Sequence, residues 1–366
     1  MRRFLRILAL FALPIVLFYG LLAAVLVNSR ELAPMDEIVQ ATVDGGLVLY
    51  GTSHHENFAT YKMAVTRRLA PRLLVLGTSR SMQLRGDFFT QPSFYNAGGA
   101  VHNVANYTQF LQALPAEALP DTLLVVLDQD MFSTPWRQAN FGDLSFGELE
   151  MDFFDTLLRT GLDYGQGKFS LAGALQAHPG YFGMAAVGRG SGFKADGSYQ
   201  YGETAGENLG RPQRNFSQVY RDIDFDELRF QGCAVPDATA LAQLEEFLAW
   251  CAGRDIRVVG FLPPFPPSVN ARMAAAGKYG YLDTLYDEIA ARFAAVGGEF
   301  FDFTAMADTV DDEYIDGFHG GDRVYAKIAL HLAEDSAILG RMVDTAAIDR
   351  LMESPAGTAR VLPQTA

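Results

Sequence analysis

LLVLGTSRS, at residues 73–81, contains the clearest sequence signal for the fold class. Its first four residues form a short apolar run between Pro71 and Gly77, which is typical of a strand buried on both faces of a parallel sheet. Similar runs at residues 123–127 and 256–261 each follow a helix-like segment. This alternation predicts an α/β fold in which helices pack against a mainly parallel sheet.

The same patterns predict the remaining elements. We expect further strands and helices at the following positions: strands at 46–50 and 299–303, and helices at 58–69, 104–114, 240–252, within 275–296 and at 323–339. Residues 133–235 interrupt the alternation, since they are rich in Gly, Phe and Tyr and have weak periodicity. This stretch is too long for an ordinary loop, so we expect a cap insertion over the carboxyl edge of the sheet, where ligands of such folds bind.

The N-terminus predicts where the protein is located. Arg2, Arg3 and Arg6 precede an uncharged run at residues 7–27, and about 20 apolar residues suffice to cross a bilayer core. By the positive-inside rule, residues 1–6 are expected in the cytoplasm, 7–27 as a transmembrane anchor, and everything after residue 30 outside the cytoplasm. A cleaved signal peptide is the alternative, and it predicts the same compartment. We expect a polar stalk at 28–43, the main domain at 44–345 and a loose tail at 346–366.

Composition and charge exclude several classes of function. The 366-residue chain has a formal net charge of −14, which repels phosphate backbones, so we expect no nucleic-acid partner. Its two cysteines, Cys233 and Cys251, lack the spacing of a zinc site, and we expect neither a metal nor another cofactor. A disulfide between them is the alternative to two free thiols, and free thiols are the favoured interpretation.

A serine in the first part of the chain and an Asp-x-x-His pattern near its end carry the chemistry. Ser79 follows the strand before Gly77, in a tight turn that would hold its hydroxyl out at the sheet's carboxyl edge. A serine hydroxyl needs a base to act as a nucleophile. Asp316 and His319 have the spacing that lets the carboxylate hold one imidazole nitrogen and leaves the other free for the serine proton. Either motif alone is typical of ordinary turn and capping residues; together they predict a catalytic triad.

On these motifs the chain resembles the SGNH/GDSL hydrolase superfamily over residues 45–340. Within it, the chain is most similar to membrane-anchored members that serve cell-envelope acylation, such as the alginate O-acetylation proteins and the lipoteichoic-acid D-alanylation protein. GTSRS at 77–81 resembles the family's first block and DGFH at 316–319 its last. The resemblance implies a three-layer α/β sandwich with a mainly parallel sheet and no cofactor.

The resemblance also implies where an oxyanion would be bound. FYNAGG at 94–99 resembles the second block, so Gly98 or Gly99 would supply a backbone N–H donor. The third block usually offers an asparagine side chain, but this chain has LDQD at 127–130. An ionised aspartate cannot donate a hydrogen bond and repels a developing negative charge, so Gln129 is the expected donor unless the oxyanion hole is weaker. In the first block, Thr78 replaces the usual aspartate.

A second serine partly repeats the nucleophile stretch. Ser53 lies in LVLYGTSHH at residues 47–55 and is followed directly by His54. Adjacent side chains rarely point at each other, and no glycine block follows at the right distance. Ser53 is therefore not expected to be catalytic.

Three functions fit the sequence. The resemblance implies transfer of an acetyl or similar acyl group onto a cell-envelope polysaccharide or polymer, beside a membrane-bound O-acyltransferase. Hydrolysis of an acyl ester would use the same triad, with water as the acceptor. A non-catalytic scaffold or binding subunit is the third alternative, and the altered third block favours it. The expected partners are therefore an envelope glycan or acyl ester, the membrane and an O-acyltransferase, with the main domain in the periplasm or an equivalent extracytoplasmic space.

Overall fold

Two β-sheets organise the part of the chain that the computed structural model describes, namely residues 1–54, 57–90, 93–147, 152–202, 216–353 and 359–362. The strands in these residues are β1 (Leu49–Tyr50), β2 (Leu73–Gly77), β3 (Phe94–Gly98), β4 (Thr122–Val126), β5 (Tyr181–Phe182), β6 (Ser191–Phe193), β7 (Tyr199–Tyr201), β8 (Arg257–Leu262) and β9 (Glu299–Asp302). The larger sheet has the order β3-β2-β4-β8-β9, and each neighbouring pair is parallel. The smaller sheet has the order β5-β1-β6-β7 and is mixed.

Helices cover these sheets. Those in the described residues are α1 (Arg2–Asn28), α2 (Met35–Val43), α3 (Phe58–Leu69), α4 (Val104–Gln112), α5 (Thr134–Ala139), α6 (Phe153–Gly165), α7 (Leu171–Ala174), α8 (Met184–Arg189), α9 (Ser217–Phe225), α10 (Ala238–Ala252), α11 (Pro267–Ala276), α12 (Leu282–Ala295), α13 (Asp322–Asp335) and α14 (Thr345–Met352). Helix α3 packs on β3, α10 on β8 and on α4, and α12 on β9. Every residue of β2 and of β4 is buried, as expected for strands inside a parallel sheet. The α/β fold with a mostly parallel sheet is thereby confirmed.

Strand β3 is an element that the apolar pattern did not reveal. It pairs with β2 in parallel, with Val75 opposite Asn96. Asn96 is fully buried, and its side-chain amide donates to the carbonyl oxygens of Ser81 and Leu84 at 2.9 and 2.8 Å. A polar residue in mid-strand breaks the apolar run by which buried strands are recognised, and its hydrogen bonds offset the cost of burying it.

The two segments expected to flank the domain are packed against it. In place of a polar stalk, residues 28–43 include helix α2, which lies on α3 with Ile38 and Val39 buried. Of the expected tail, residues 354–358 and 363–366 lie outside the described residues. Its first part belongs to α14, which packs on α13 through buried Ile348. Beyond it, the Val361 amide donates to the buried Asp322 carboxylate at 2.8 Å. These corrections share a cause, because a few apolar residues at helical spacing are enough to bury a short helix.

The described part of residues 133–235 forms its own helices and strands. These residues supply β5, β6 and β7 of the smaller sheet. The fourth strand of this sheet is β1, which precedes the strands of the larger sheet in the sequence. They also supply helices α5 to α9. Cys233, in the same stretch, and Cys251 are both free thiols, as expected.

Helix α1 is long and apolar enough to cross a membrane, judged by length and composition. Its 27 residues span about 40 Å at 1.5 Å per residue. The expected anchor thus coincides with a single helix, which begins within the arginine-rich N-terminus and continues one residue past the apolar run.

Candidate active site

The turn after β2 presents Ser79 at the carboxyl edge of the parallel sheet. Strand β2 ends at Gly77, and Ser79 opens a short 3-10 helix over Ser79–Ser81. The Thr78 hydroxyl caps this helix by accepting from the Arg80 amide at 3.2 Å, and it donates to the Asp128 carboxylate at 2.7 Å. Thr78 therefore links the turn to the end of the neighbouring strand β4, which holds the Ser79 backbone in place.

A tight turn before α13 presents His319, the predicted base. Asp316 Oδ1 accepts from the amides of Phe318 and His319 at 2.8 and 2.7 Å, which curls the chain so that carboxylate and imidazole meet. The bridge between Tyr314 and Gly320 closes this turn at its base. As a result, Asp316 Oδ2 lies 2.8 Å from His319 Nδ1.

The structure brings the three residues together in one hydrogen-bonded chain. Ser79 Oγ lies 2.9 Å from His319 Nε2, across 240 residues of sequence. A proton on Nδ1, facing the carboxylate, leaves Nε2 to accept the serine proton. Partial desolvation raises the pKa of Asp316, but the charge and hydrogen bonds of His319 outweigh this effect and lower that pKa to about 2. Asp316 is therefore ionised at neutral pH, as an orienting carboxylate must be.

Arg80 is a residue at the site whose role the sequence analysis did not foresee. Its side chain is fully buried and donates to the carbonyl oxygens of Pro263 and Pro264 at 3.0 and 2.7 Å. It also donates to Gln129 Oε1 at 2.7 Å, and it lies 4.0 Å from the Asp128 carboxylate. The arginine thus joins the loops that follow β2, β4 and β8.

The same guanidinium supports the turn that carries the base. It lies 4.4 Å from the ring centroids of both Phe265 and Phe318, and Phe318 directly precedes His319. On the backbone side, the Tyr325 hydroxyl of α13 donates to the Arg80 carbonyl oxygen. Arg80 therefore couples the Ser79 turn to the His319 turn.

The expected oxyanion donors are engaged elsewhere. The Gly98 amide donates to Asn96 Oδ1 at 2.7 Å, and the Gly99 amide donates to the carbonyl oxygens of Gly77 and Thr78 at 2.9 and 3.0 Å. Gly99 has φ +85°, a backbone conformation that residues with a side chain rarely adopt, so this turn favours glycine. These amides close the turn at the end of β3, which corrects the expectation that they bind an oxyanion.

Gln129 is likewise corrected as an oxyanion donor. Its side chain is fully buried, and its amide donates to the Pro263 carbonyl oxygen at 2.7 Å and to the Thr304 hydroxyl at 2.8 Å. Because its oxygen accepts from Arg80, all the polar atoms of this side chain serve the network beneath the site. Only the three-dimensional contacts reveal this commitment.

A cavity of about 300 Å³ opens beside Ser79. Trp136, Asn140 and Arg229, all from residues 133–235, line it together with Ser79 and Asp130. The Arg229 guanidinium lies 4.8 Å from the Trp136 ring and 3.4 Å from Asp130 Oδ2. The cavity therefore combines an aromatic face with charged groups of both signs next to the serine.

Asp130 is the buried acid of this cavity. It is 5% exposed, and among the described residues its Oδ1 has no hydrogen-bond partner. Burial raises its pKa to about 6, although Arg229 acts in the opposite direction. In its ionised form Asp130 accepts hydrogen bonds and repels an oxyanion, whereas its protonated form can donate one.

We expect Asp130 to make the folded state less stable as pH rises from about 4 to about 6. The folded protein retains a proton that the unfolded chain releases, so the stability that this proton contributes at low pH is lost as pH rises through the folded pKa. Asp130→Asn removes that slope, while the exposed Asp312→Asn retains it. Urea unfolding midpoints of the three proteins between pH 4 and 7 measure the effect. Identical pH profiles for wild type and Asp130→Asn would contradict it.

Ser53 has surroundings that differ from those of Ser79. Its backbone amide donates to the buried carboxylate of Glu31 at 2.8 Å, as does the amide of His54 at 3.1 Å. The His54 imidazole faces Asp163, with Nε2 3.5 Å from the carboxylate. The Ser53 turn thus anchors the chain that follows α1.

Comparisons with protein-family models, curated protein sequences and solved structures give no match to this chain.

Proposed function

We propose that this chain is a serine acyltransferase that moves an acetyl or similar acyl group onto a cell-envelope polysaccharide or polymer. The observation that carries the proposal is the continuous chain from Ser79 Oγ through His319 to Asp316, with contacts of 2.9 and 2.8 Å. These are the distances that a nucleophile, its base and an orienting carboxylate require. The cavity beside Ser79 offers space for a reacting acyl group.

The residues divide the reaction between them. Ser79 Oγ attacks the carbonyl carbon of the donor ester while His319 Nε2 takes the hydroxyl proton; the proton then passes to the leaving alcohol as the ester bond breaks. An acceptor hydroxyl then attacks the acyl-serine, with Nε2 taking its proton and returning it to Ser79 Oγ. Asp316 holds the imidazole orientation and stabilises its positive charge throughout.

The proposal extends to the finer fold and to the location of the chain. The parallel sheet with Ser79 after β2 and His319 before α13 supports a three-layer SGNH-like sandwich. Helix α1, with arginines at its start, supports anchoring in the cytoplasmic membrane with the catalytic domain outside the cytoplasm. A membrane-bound O-acyltransferase nearby would then be the source of the acyl group.

Hydrolysis is the second candidate function, and solvent access favours it. Half of the Asp316 side chain and about a fifth of the His319 side chain are accessible to solvent. Water could therefore approach the acyl-serine as readily as a sugar hydroxyl, and such an enzyme would be an esterase or deacetylase.

The fate of the acyl group distinguishes these functions. The purified full-length protein would be incubated in detergent with p-nitrophenyl acetate and an oligosaccharide acceptor. Released nitrophenolate reports acylation of the enzyme, and mass spectrometry separates acetylated acceptor from free acetate. Acetylated acceptor in excess of free acetate supports transfer, and free acetate alone supports hydrolysis. Absence of both products, with no covalent adduct at Ser79, would leave the scaffold role.

A further inference from the structure

Helix α6 exposes an apolar stripe that its own domain leaves uncovered. Phe154, Leu158 and Leu162 follow each other at four-residue spacing and are 73%, 55% and 65% exposed. The opposite side of the helix is buried, through Thr156 and Thr160. Three large apolar side chains on one face are unusual for a surface in water and indicate an apolar partner.

The uncovered stripe borders the outer end of helix α1. Gly161 of α6 packs against Leu22 of α1; a Cβ atom added to Gly161 would lie only 3.3 Å from Leu22 Cδ1. The rings of Phe18 and Tyr164 lie 6.0 Å apart. Leu22 and Leu157 share one buried cluster with their neighbours. Since Gly161 and Leu157 lie next to the stripe on the helix surface, the exposed apolar faces of α1 and α6 adjoin.

The charges of α6 lie on the far side of the stripe. Asp155 and Arg159 form an ion pair at 2.6 Å, and both side chains are more than half exposed. At 100° per residue, Asp155 and Arg159 lie next to Leu162 on the helix surface, on the side of the stripe that faces away from Gly161. Around the axis of α6, the face that contacts α1 is therefore followed by the apolar stripe and then by the charged pair. This is the arrangement of a helix at a membrane surface.

The joint between α1 and the domain is firm. Asn28, the last residue of α1, donates to the carbonyl oxygens of Ala174 and Gln176 at 2.8 and 2.6 Å. Glu31 is buried and accepts from the Met184 amide at 2.5 Å as well as from the Ser53 turn. The outer end of α1 cannot pivot freely on the domain, so the position of α1 also sets that of α6.

We propose that α6 lies in the outer interface of the lipid bilayer, with Phe154, Leu158 and Leu162 in contact with acyl chains. The inference rests on the proposed membrane anchoring through α1. Leu22 lies five residues before the end of the apolar run, which corresponds to about 8 Å along the helix. Interfacial helices bury their apolar face to a similar depth in the bilayer. The continuity with α1 and the placement of the charges favour lipid over a second copy of the chain. Two helices, rather than one tether, would then set the height and tilt of the Ser79 site above the membrane.

Spin labels on the full-length protein test this placement. In a Cys233→Ser background, which keeps the fully buried and therefore unlabelled Cys251, one accessible cysteine replaces Leu158, Leu13 of α1, or Val310 of the main domain. These three positions are matched at 55%, 56% and 58% exposure. The proteins are reconstituted in vesicles of phosphatidylcholine and phosphatidylglycerol. Collision rates with oxygen, which concentrates in lipid, are compared with those of a water-soluble nickel chelate.

The expected result is that the labels at Leu158 and Leu13 collide several-fold more with oxygen than with nickel, with the reverse at Val310. A water-exposed label at Leu158 beside a lipid-exposed one at Leu13 overturns the inference and leaves the anchor standing. Water exposure at both positions overturns the inference and the proposed anchoring together. Exclusion of both reagents from Leu158 means that a protein covers α6, which also overturns it. None of these outcomes bears on the acyl-transfer chemistry, which the Ser79 adduct reports.

Discussion

Ser79→Ala is expected to abolish covalent labelling by a fluorophosphonate probe and to lower acyl transfer or ester cleavage by about a factor of 10⁵ to 10⁶. The substitution removes the hydroxyl that lies 2.9 Å from His319 Nε2. The methyl group of alanine cannot act as a nucleophile, so no acyl intermediate can form there. Labelling intensity and the initial rate of p-nitrophenyl acetate cleavage measure the loss.

Two matched variants sharpen this test. Ser53→Ala changes the serine of the similar turn near α1 and should leave labelling and rate unchanged. Asp316→Asn should keep the nucleophile and the base but misorient the imidazole, with a loss of up to about 10⁴ in rate. The order of effects, Ser79 above Asp316 above Ser53, is specific to a triad.

The fold of the Ser79→Ala protein should be intact. Ser79 is half-buried and its side chain makes one hydrogen bond, so we expect a loss of no more than about 1 kcal/mol in the free energy of unfolding. Full labelling of the folded Ser79→Ala protein would show that another residue reacts with the probe, and the proposed enzyme function would be lost.

Arg80→Ala is expected to lower the free energy of unfolding by about 3 to 5 kcal/mol. The substitution leaves the Pro264 carbonyl oxygen and Gln129 Oε1 without their donor, and the Asp128 carboxylate without its nearby cation. The Pro263 carbonyl oxygen loses one of its two donors and keeps the Gln129 amide. For a domain whose total stability is about 5 to 15 kcal/mol, this is a large fraction. Urea unfolding followed by circular dichroism measures it.

The control is Arg221→Ala, which changes an arginine side chain that is 61% exposed. Its expected effect is within about 0.5 kcal/mol, because exposed ion pairs contribute little. Arg80→Lys should recover only part of the loss, since an ammonium group cannot reproduce the planar fork that serves several acceptors at once. A loss below about 1 kcal/mol for Arg80→Ala would mean that the buried network contributes no net stability.

The elements nearest the serine were predictable because their signals are local. The apolar run before Gly77 predicted a buried strand, and β2 occupies Leu73–Gly77. Helix α3 covers the predicted residues 58–69 because its ends are marked in the sequence: the Asn57 side chain caps its first turn, and Pro71 follows the left-handed C-cap residue, Ala70.

Contacts between distant segments had no such local signal. The commitment of the Gly98 and Gly99 amides to turn closure depends on where β3 lies beside β2. The role of Arg80 depends on carbonyl oxygens more than 180 residues away. An arginine after a strand is ordinarily exposed, and nothing in its neighbours predicts that it is buried.

Three features could be predicted without the structure, because each follows from residues a few positions apart: the parallel α/β character, the apolar helix at the N-terminus and the pairing of Asp316 with His319. The meeting of Ser79 with His319 could be hypothesised from order and spacing, but the distance between them depends on how the whole chain packs. The use of the Gly98 and Gly99 amides in the turn after β3 and the contact between α6 and α1 likewise depend on how the elements pack. The physical reason is the range of the interactions: periodicity and capping act within a few turns of chain, whereas a buried donor finds its acceptor only after the strands and helices have packed.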